Sequence, residues 1–222
     1  MFNDLVNQDE LYYEALKYYA NILTPFNKQV TKKIAEILAL NLPVAMIRPS
    51  HGIIWRQNPL QIVERYQQWA QNYQENQITI VYDTMWNGTR KMAEAIAAGI
   101  QEADSQVQVK LFNSARTDKN DILSEVFKAK GILVGSPTVN RGVLSSVGRF
   151  LEEIRGLSFK EKKAAAFGTY GWSGESMATI TKGLSEAGFT IATDGLRLLW
   201  NPDAESLARC ADFGKAFAIS CQ

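Results

Sequence analysis

The hydrophobic positions of the chain change period near residue 75. Before that point they recur at helical spacing: Leu11, Ala15, Tyr18, Tyr19 and Ile22, then Val30, Ile34, Ile37 and Leu38, then Ile62, Val63, Tyr66 and Trp69. Thr24-Pro25 and Asn58-Pro59 each read as an N-cap followed by proline at the first helical position. One apolar run, Val44 to Ile47, reads as a strand, and Pro49-Ser50-His51-Gly52 reads as a loop. The polar stretch Gln71 to Gln77 reads as a linker.

Beyond the linker the chain alternates five times between a short apolar run and a helical period. Strands are expected over 78–82, 107–112, 131–135 and 163–167, with extended structure across 189–199. Helices are expected over 90–103, 118–129, 143–154, 174–187 and 203–218. Alternating βα units of this length imply a parallel sheet with helices on both faces. Right-handed crossovers restrict it to doubly wound forms. The expected organisation is a mostly helical extension over 1–75 and an α/β doubly wound domain over 76–222. Ligands of such sheets sit at the carboxyl ends of the strands, at the switch point of strand order. The loops after the first, third and fourth strands therefore carry the candidate chemistry.

Composition narrows the picture by exclusion. Of 222 residues 46% are hydrophobic and 21% charged, an ordinary globular balance, and the net charge of +1 offers no basic platform for nucleic acid. No apolar run is long enough to cross a membrane, and the first residues lack a basic start followed by an apolar stretch. The cytoplasm is the expected compartment. Cys210 and Cys221 lie too far apart for a CxxC pattern and read as reduced thiols. His51 is the single histidine.

The first loop reads Asp83-Thr84-Met85-Trp86-Asn87-Gly88-Thr89 and opens directly into a helix. Its amides and the helix N-terminus form an anion site. Thr84 and Thr89 add hydroxyls, Asn87 adds an amide, and no lysine or arginine lies inside the loop. A plain helix cap needs only one such donor. The second loop, Gly135-Ser136-Pro137-Thr138-Val139-Asn140-Arg141-Gly142, has its backbone fixed by glycine and proline, with Thr138 and Asn140 as donors. Taken alone it is an ordinary βα turn. The third, Gly168-Thr169-Tyr170-Gly171-Trp172-Ser173-Gly174, has three glycines that permit close approach to a flat ligand. Tyr170 and Trp172 are placed to cover that ligand; core packing is the plainer reading of an aromatic.

Thr-x-x-x-x-Thr after an apolar strand resembles flavodoxins, in which this loop cradles the phosphate of FMN. Met85 and Trp86 stand where many flavodoxins have threonines. In that departure Tyr82-Asp-Thr-Met-Trp-Asn-Gly-Thr89 resembles the flavodoxin domain of flavodiiron proteins, the flavorubredoxin type included, and Gly171-Trp-Ser-Gly174 matches the same pattern. The resemblance implies a five-stranded sheet of order 2-1-3-4-5. It implies an FMN site made by Thr84, Met85, Trp86, Asn87, Gly88 and Thr89, by Ser136, Pro137, Thr138, Val139, Asn140 and Gly142 along the ring, and by Thr169, Tyr170, Gly171, Trp172, Ser173 and Gly174.

Residues 1 to about 70 resemble the C-terminal end of the metallo-β-lactamase-like domain of the same family. The matching stretches are Tyr18 to Leu23 and Pro43 to Trp55. There the histidine of Pro-Ser-His-Gly, His51 in this chain, is the last di-iron ligand. The family's HxExD cluster, further histidine and bridging aspartate are not in this chain, so His51 reads as a solvent-facing or loop-bonded residue and no metal is expected. Helices shaped to pack on a missing sandwich would expose Tyr12, Tyr19, Ile22, Ile34 and Leu38, and such patches tend to be covered by association. A homodimer is expected.

The resemblance implies electron carriage by FMN, with a rubredoxin-type protein as donor or a di-iron domain as acceptor, and without nitric oxide or oxygen reduction by this chain alone. An FMN-dependent NAD(P)H or quinone oxidoreductase is the alternative. A signalling receiver would need further acids around Asp83 and a lysine after the fifth strand, which are lacking; Asp83 reads instead as a turn residue bonding loop backbone. A non-redox module without FMN is opposed by the intact third loop.

Overall fold

Buried parallel strands read as near-continuous apolar runs, and Ile78 to Tyr82, Gly131 to Gly135 and Ala164 to Phe167 are buried without a break. In the computed structural model, which describes residues 1–157 and 159–222, these runs form the centre of one parallel sheet. The described residues divide into two units, Met1–Tyr73 and Gln74–Gln222.

The second unit runs β1 (Glu75–Tyr82), α4 (Gly88–Ala103), β2 (Gln108–Asn113), α5 (Lys119–Lys128), β3 (Ala129–Gly135), α6 (Ser145–Leu157), β4 (Lys163–Tyr170), α7 (Glu175–Glu186), β5 (Thr190–Ile191), β6 (Leu196–Leu199) and α8 (Ala204–Ser220). The first unit contributes α1 (Gln8–Tyr18), α2 (Asn27–Ala39) and α3 (Leu60–Trp69). The sheet order is β2-β1-β3-β4-β5, with β6 also on β4, and every pairing is parallel. The chain therefore reverses its direction of winding between β1 and β3, and their carboxyl ends flank the crevice.

Several boundaries shift by one to three residues from the sequence reading, and three of the differences have a visible cause. β1 starts at Glu75, three residues early, because Gln77 is buried with its side-chain amide bonded to Glu125 O at 2.9 Å. The polar stretch was thus partly strand, not linker. β4 runs to Tyr170 rather than 167, because Phe167 to Tyr170 pair with Leu196 to Leu199. The extended segment 189–199 splits into β5 and β6 around Gly195, whose φ of +84° breaks the strand.

The core lies between the sheet and its helices. Met92, Ala93, Ile96 and Ile100 of α4 meet Cys210, Phe217 and Ala218 of α8. The two helices approach through glycines: a Cβ on Gly99 would lie 1.9 Å from Ala211 O, and one on Gly214 2.2 Å from Ile96 O. Both cysteines are free, and burial pushes the Cys210 thiol up to about 11.

In the first unit the elements are helical but their faces differ from expectation. A five-residue π turn, Tyr19–Leu23, follows α1 and shifts the buried face: Leu16, Tyr19 and Ala20 are buried, while Tyr18 and Ile22 are 37% and 51% exposed. Tyr19, expected to be exposed, bonds Asn27 Oδ1 at 2.7 Å and packs edge-on against Tyr66. Thr24 does not cap the next helix. Its hydroxyl donates back to Ala20 O at 2.9 Å, and Pro25 opens a single 3-10 turn. Asn58 has φ +45°, and no side-chain bond caps α3. Val44 to Ile47 is not a strand: Ile47 makes one bridge to Trp55 and nothing extends it.

Candidate functional site

The carboxyl ends of β1, β3 and β4 open onto a cavity of about 750 Å³, within the range of cofactor sites. Thr84, Met85, Trp86 and Gly88 of the first loop line it. So do Pro137, Thr138, Val139 and Asn140 of the second, and Thr169, Tyr170, Gly171, Trp172 and Ser173 at the end of β4. Asn87, Thr89, Ser136, Gly142 and Gly174 do not line it, and Arg141, Trp200 and Asn201 do.

The first loop is held from beneath. Asp83 Oδ1 accepts from Thr84 N at 2.7 Å, and its Oδ2 accepts from Ser146 Oγ at 2.5 Å. Asn87 takes φ +63° and makes no side-chain cap, so the N-terminus of α4 begins at Gly88 with its amides free of a capping side chain. Thr89 is buried, its hydroxyl 3.4 Å from Thr169 Oγ1. Thr84 Oγ1 is buried and has no hydrogen-bond partner. A buried hydroxyl without a partner costs about 1–3 kcal/mol, and Thr84 lines the same cavity as Gly88 at the N-terminus of α4, an end of a helix that attracts anions.

The second loop is a tight hairpin: Gly142 N donates to Val139 O at 2.8 Å and Val139 N to Gly142 O at 3.2 Å. Asn140 and Arg141 both have positive φ, +49° and +62°, the pattern of a type I′ turn. Ser136 is fully buried and serves the loop itself, its oxygen accepting from Leu144 N at 3.0 Å. Thr138 is tied to the start of α7 through Ser176 Oγ at 2.8 Å.

The glycines of the third segment face protein. A Cβ on Gly168 would lie 2.0 Å from Ser136 O, and one on Gly171 2.8 Å from the Trp200 ring; Gly174 lies against Arg197. Their smallness lets backbone and side chains of the cavity wall close on each other. Trp172 is 90% exposed and Trp86 83%. Trp172 meets Trp200 edge-on at 5.3 Å, and Trp200 N donates to Tyr170 O at 2.8 Å. Neither Trp86 nor Trp172 is core. The Ser173 hydroxyl beside it holds the Glu175 carboxyl below the usual range, and Arg141 adds to the effect.

Trp200 and Asn201 are not legible as site residues because they follow β6, which residues 192–195 set off from β5 by a jog that the apolar pattern does not mark. Arg141 lies within the second loop, where the resemblance points only to its neutral neighbours.

The first unit holds a second, apolar cavity of about 490 Å³, lined among others by Leu11, Ile34, Ile62 and Val63, with Glu14 and His51 in its wall. The His51 ring lies 6.1 Å from that of Tyr18. Among the described residues no three His, Cys, Asp or Glu side chains gather as metal ligands.

The chain is 53% identical over 218 residues to the anaerobic nitric oxide reductase flavorubredoxin of Klebsiella pneumoniae, spanning 98% of this chain and 45% of that protein. The Vibrio vulnificus protein of the same name is also 53% identical, over 98% of this chain and 44% of its own. The chain thus spans less than half the length of these relatives. Among solved structures, rubredoxin oxygen:oxidoreductase from Desulfovibrio gigas superposes with a TM-score of 0.94 at 30% identity, over 99% of this chain and 55% of that one. The flavodiiron protein of Giardia intestinalis shares the fold, with a TM-score of 0.91 at 24% identity, over 99% and 54%. Residues 80–214 match the family model for flavodoxin, a family whose cofactor is FMN, and the chain belongs to that family in the form carried by flavodiiron proteins.

Proposed function

We propose that this chain is an electron-carrying FMN domain of flavodiiron type, holding the cofactor in the cavity between the ends of β1, β3 and β4. The observation that carries the reading is the convergence of three separate loops on one cavity, with the unpartnered Thr84 hydroxyl at the N-terminus of α4. FMN supplies reversible exchange of one or two electrons, and the protein supplies binding and tuning.

In this reading Thr84 Oγ1 and the free amides at Gly88 hold the phosphate without a formal cation, the helix dipole contributing the field. Thr89 and Ser136 keep the two loops in place from behind. Pro137 to Asn140 flank one side of the ring and Tyr170 to Ser173 the other. Met85, Trp86 and Trp172 restrict water at the mouth. An electron partner docks over this open edge, either a rubredoxin-type donor or a di-iron acceptor.

A di-iron centre does not fit this chain. Such a site needs several nitrogen and oxygen ligands, and His51 is the single histidine, set beside an apolar cavity. We therefore assign the chain the electron-carrying half of the chemistry and read residues 1 to about 70 as matching the end of a metallo-β-lactamase-like domain.

The test is a visible spectrum of the purified chain before and after addition of FMN and removal of the excess. Retained flavin bands, released on denaturation as FMN, are expected. A chain that stays colourless after FMN addition overturns the proposal.

A further inference from the structure

Arg141 occupies a backbone position that its side chain does not favour. In a type I′ turn the second central residue is by default glycine, because φ is positive there. Asn140 at the first central position tolerates this; an arginine at φ +62° does not share that ease. Residues held in such conformations cluster at functional sites. The side chain lines the FMN cavity. It enters no hydrogen bond or ion pair among the described residues, and its charge adds to the lowering of the Glu175 carboxyl.

The position of this guanidinium relative to the anion site decides what it serves. The phosphate donors, Thr84 Oγ1 and the α4 N-terminus, belong to the first loop. The remaining walls, from the second loop and the end of β4, are left for the ring, and Arg141 is the one Lys or Arg among the residues lining the cavity. Oxidised flavin is neutral at the ring. Two electrons and one proton from an external reductant convert it to a form carrying one negative charge there.

We propose that Arg141 is a tuning residue of the flavin site, a cation held in a strained turn so that it stabilises the anionic, fully reduced ring over the oxidised one. The proposal rests on the FMN reading above. Across an effective dielectric between those of a protein surface and water, the Coulomb attraction of a cavity-lining cation is expected to favour the reduced form by roughly three- to tenfold.

The experiment measures the dissociation constants of oxidised FMN and of dithionite-reduced FMN for the full chain, anaerobically, in wild type, Arg141→Gly, Arg141→Gln and Arg141→Lys. In both neutral variants the preference for reduced over oxidised FMN is expected to fall about three- to tenfold, with Arg141→Lys close to wild type. A tenfold fall equals about 30 mV in the two-electron potential. Raising the salt concentration shrinks the difference between wild type and the neutral variants. Arg141→Gly, which relieves the turn, is expected to unfold at a temperature no lower than wild type, which separates a lost preference from a damaged fold. An unchanged preference in both neutral variants overturns the proposal while leaving FMN binding intact. Failure of the wild type to bind either form sinks the FMN reading and this proposal with it.

Discussion

Thr84 keeps a buried hydroxyl without a partner in the isolated chain, and that single atom separates phosphate binding from structure. Valine has the same shape and no donor. A hydrogen bond to a charged group contributes about 1.5–3 kcal/mol. Thr84→Val is therefore expected to weaken FMN binding roughly tenfold or more and to leave riboflavin, which lacks the phosphate, unchanged. Because an orphaned polar group is removed, the apoprotein should melt at the same temperature or higher. Titration by flavin fluorescence checks both; equal losses for FMN and riboflavin would place Thr84 outside the phosphate cradle. Lys162 is a residue of another kind. It is buried at the far end of the sheet, and its Nζ donates to Phe127 O at 2.8 Å and Ala129 O at 2.7 Å, closing the carboxyl end of α5. Burial pushes its ammonium down to about 7. Between that value and the unfolded value near 10.5 the unfolded chain binds the extra proton, so stability gains with rising pH. Denaturant melts from pH 7 to pH 9 should show wild type gaining on Lys162→Met by up to about 1.4 kcal/mol per pH unit. A constant difference across that range would show that Lys162 titrates normally.

At the scale of elements, α4 both presents its N-terminus to the cavity and packs along α8 at glycine distance. Gly99→Ala drives a methyl into Ala211 O, and overpacking of this kind costs about 1–3 kcal/mol, lowering the melting temperature by roughly 3–10 °C. Calorimetry of the apoprotein reads it directly; an unchanged midpoint would mean the helices separate freely. The elements also show where the sequence speaks. Strands such as Gly131 to Gly135 announce themselves, because burial on both faces demands an unbroken apolar run. So does α8, whose Asp203 side chain caps it by accepting from Ser206 N at 2.9 Å. The extension of β4 through Gly168, Thr169 and Tyr170 is silent in the pattern, since only pairing with β6 makes those residues strand. Tyr19 is silent for a different reason: one π turn rotates the buried face, and no periodicity of 3.6 registers that. In the site, the loops on β1, β3 and β4 follow from topology and turn residues. Trp200 and Asn201 depend on the jog at Gly195, a tertiary event.

At the scale of the whole molecule, the two units carry unequal surfaces. In the first unit Ile22, Ile37, Leu38, Leu40 and Leu42 are exposed and no residue of α2 is buried. Apolar surface of this extent tends to be covered by association, and light scattering of the purified chain is expected to give a dimer or larger species. A monomer with little binding of a hydrophobic dye would count against that expectation. No helix among the described residues is long and apolar enough to cross a membrane. With flavin chemically reduced, the isolated chain is expected to consume nitric oxide anaerobically no faster than free reduced FMN. Rapid turnover would overturn the assignment of electron carriage alone.

The close contact of α4 with α8 sets a timetable. The helix whose N-terminus faces the cavity is braced by residues 204–220, and the cavity wall at Trp200 and Asn201 follows β6. During synthesis the first two loops emerge long before either support exists. The nascent chain is thus expected to reach the flavin pool with its phosphate loop unbraced and its far wall missing. Loading then waits for the last helix, and cofactor supply during translation has no means of guiding the earlier folding steps. A polypeptide halted before residue 196 would leave the ribosome colourless however much FMN surrounds it.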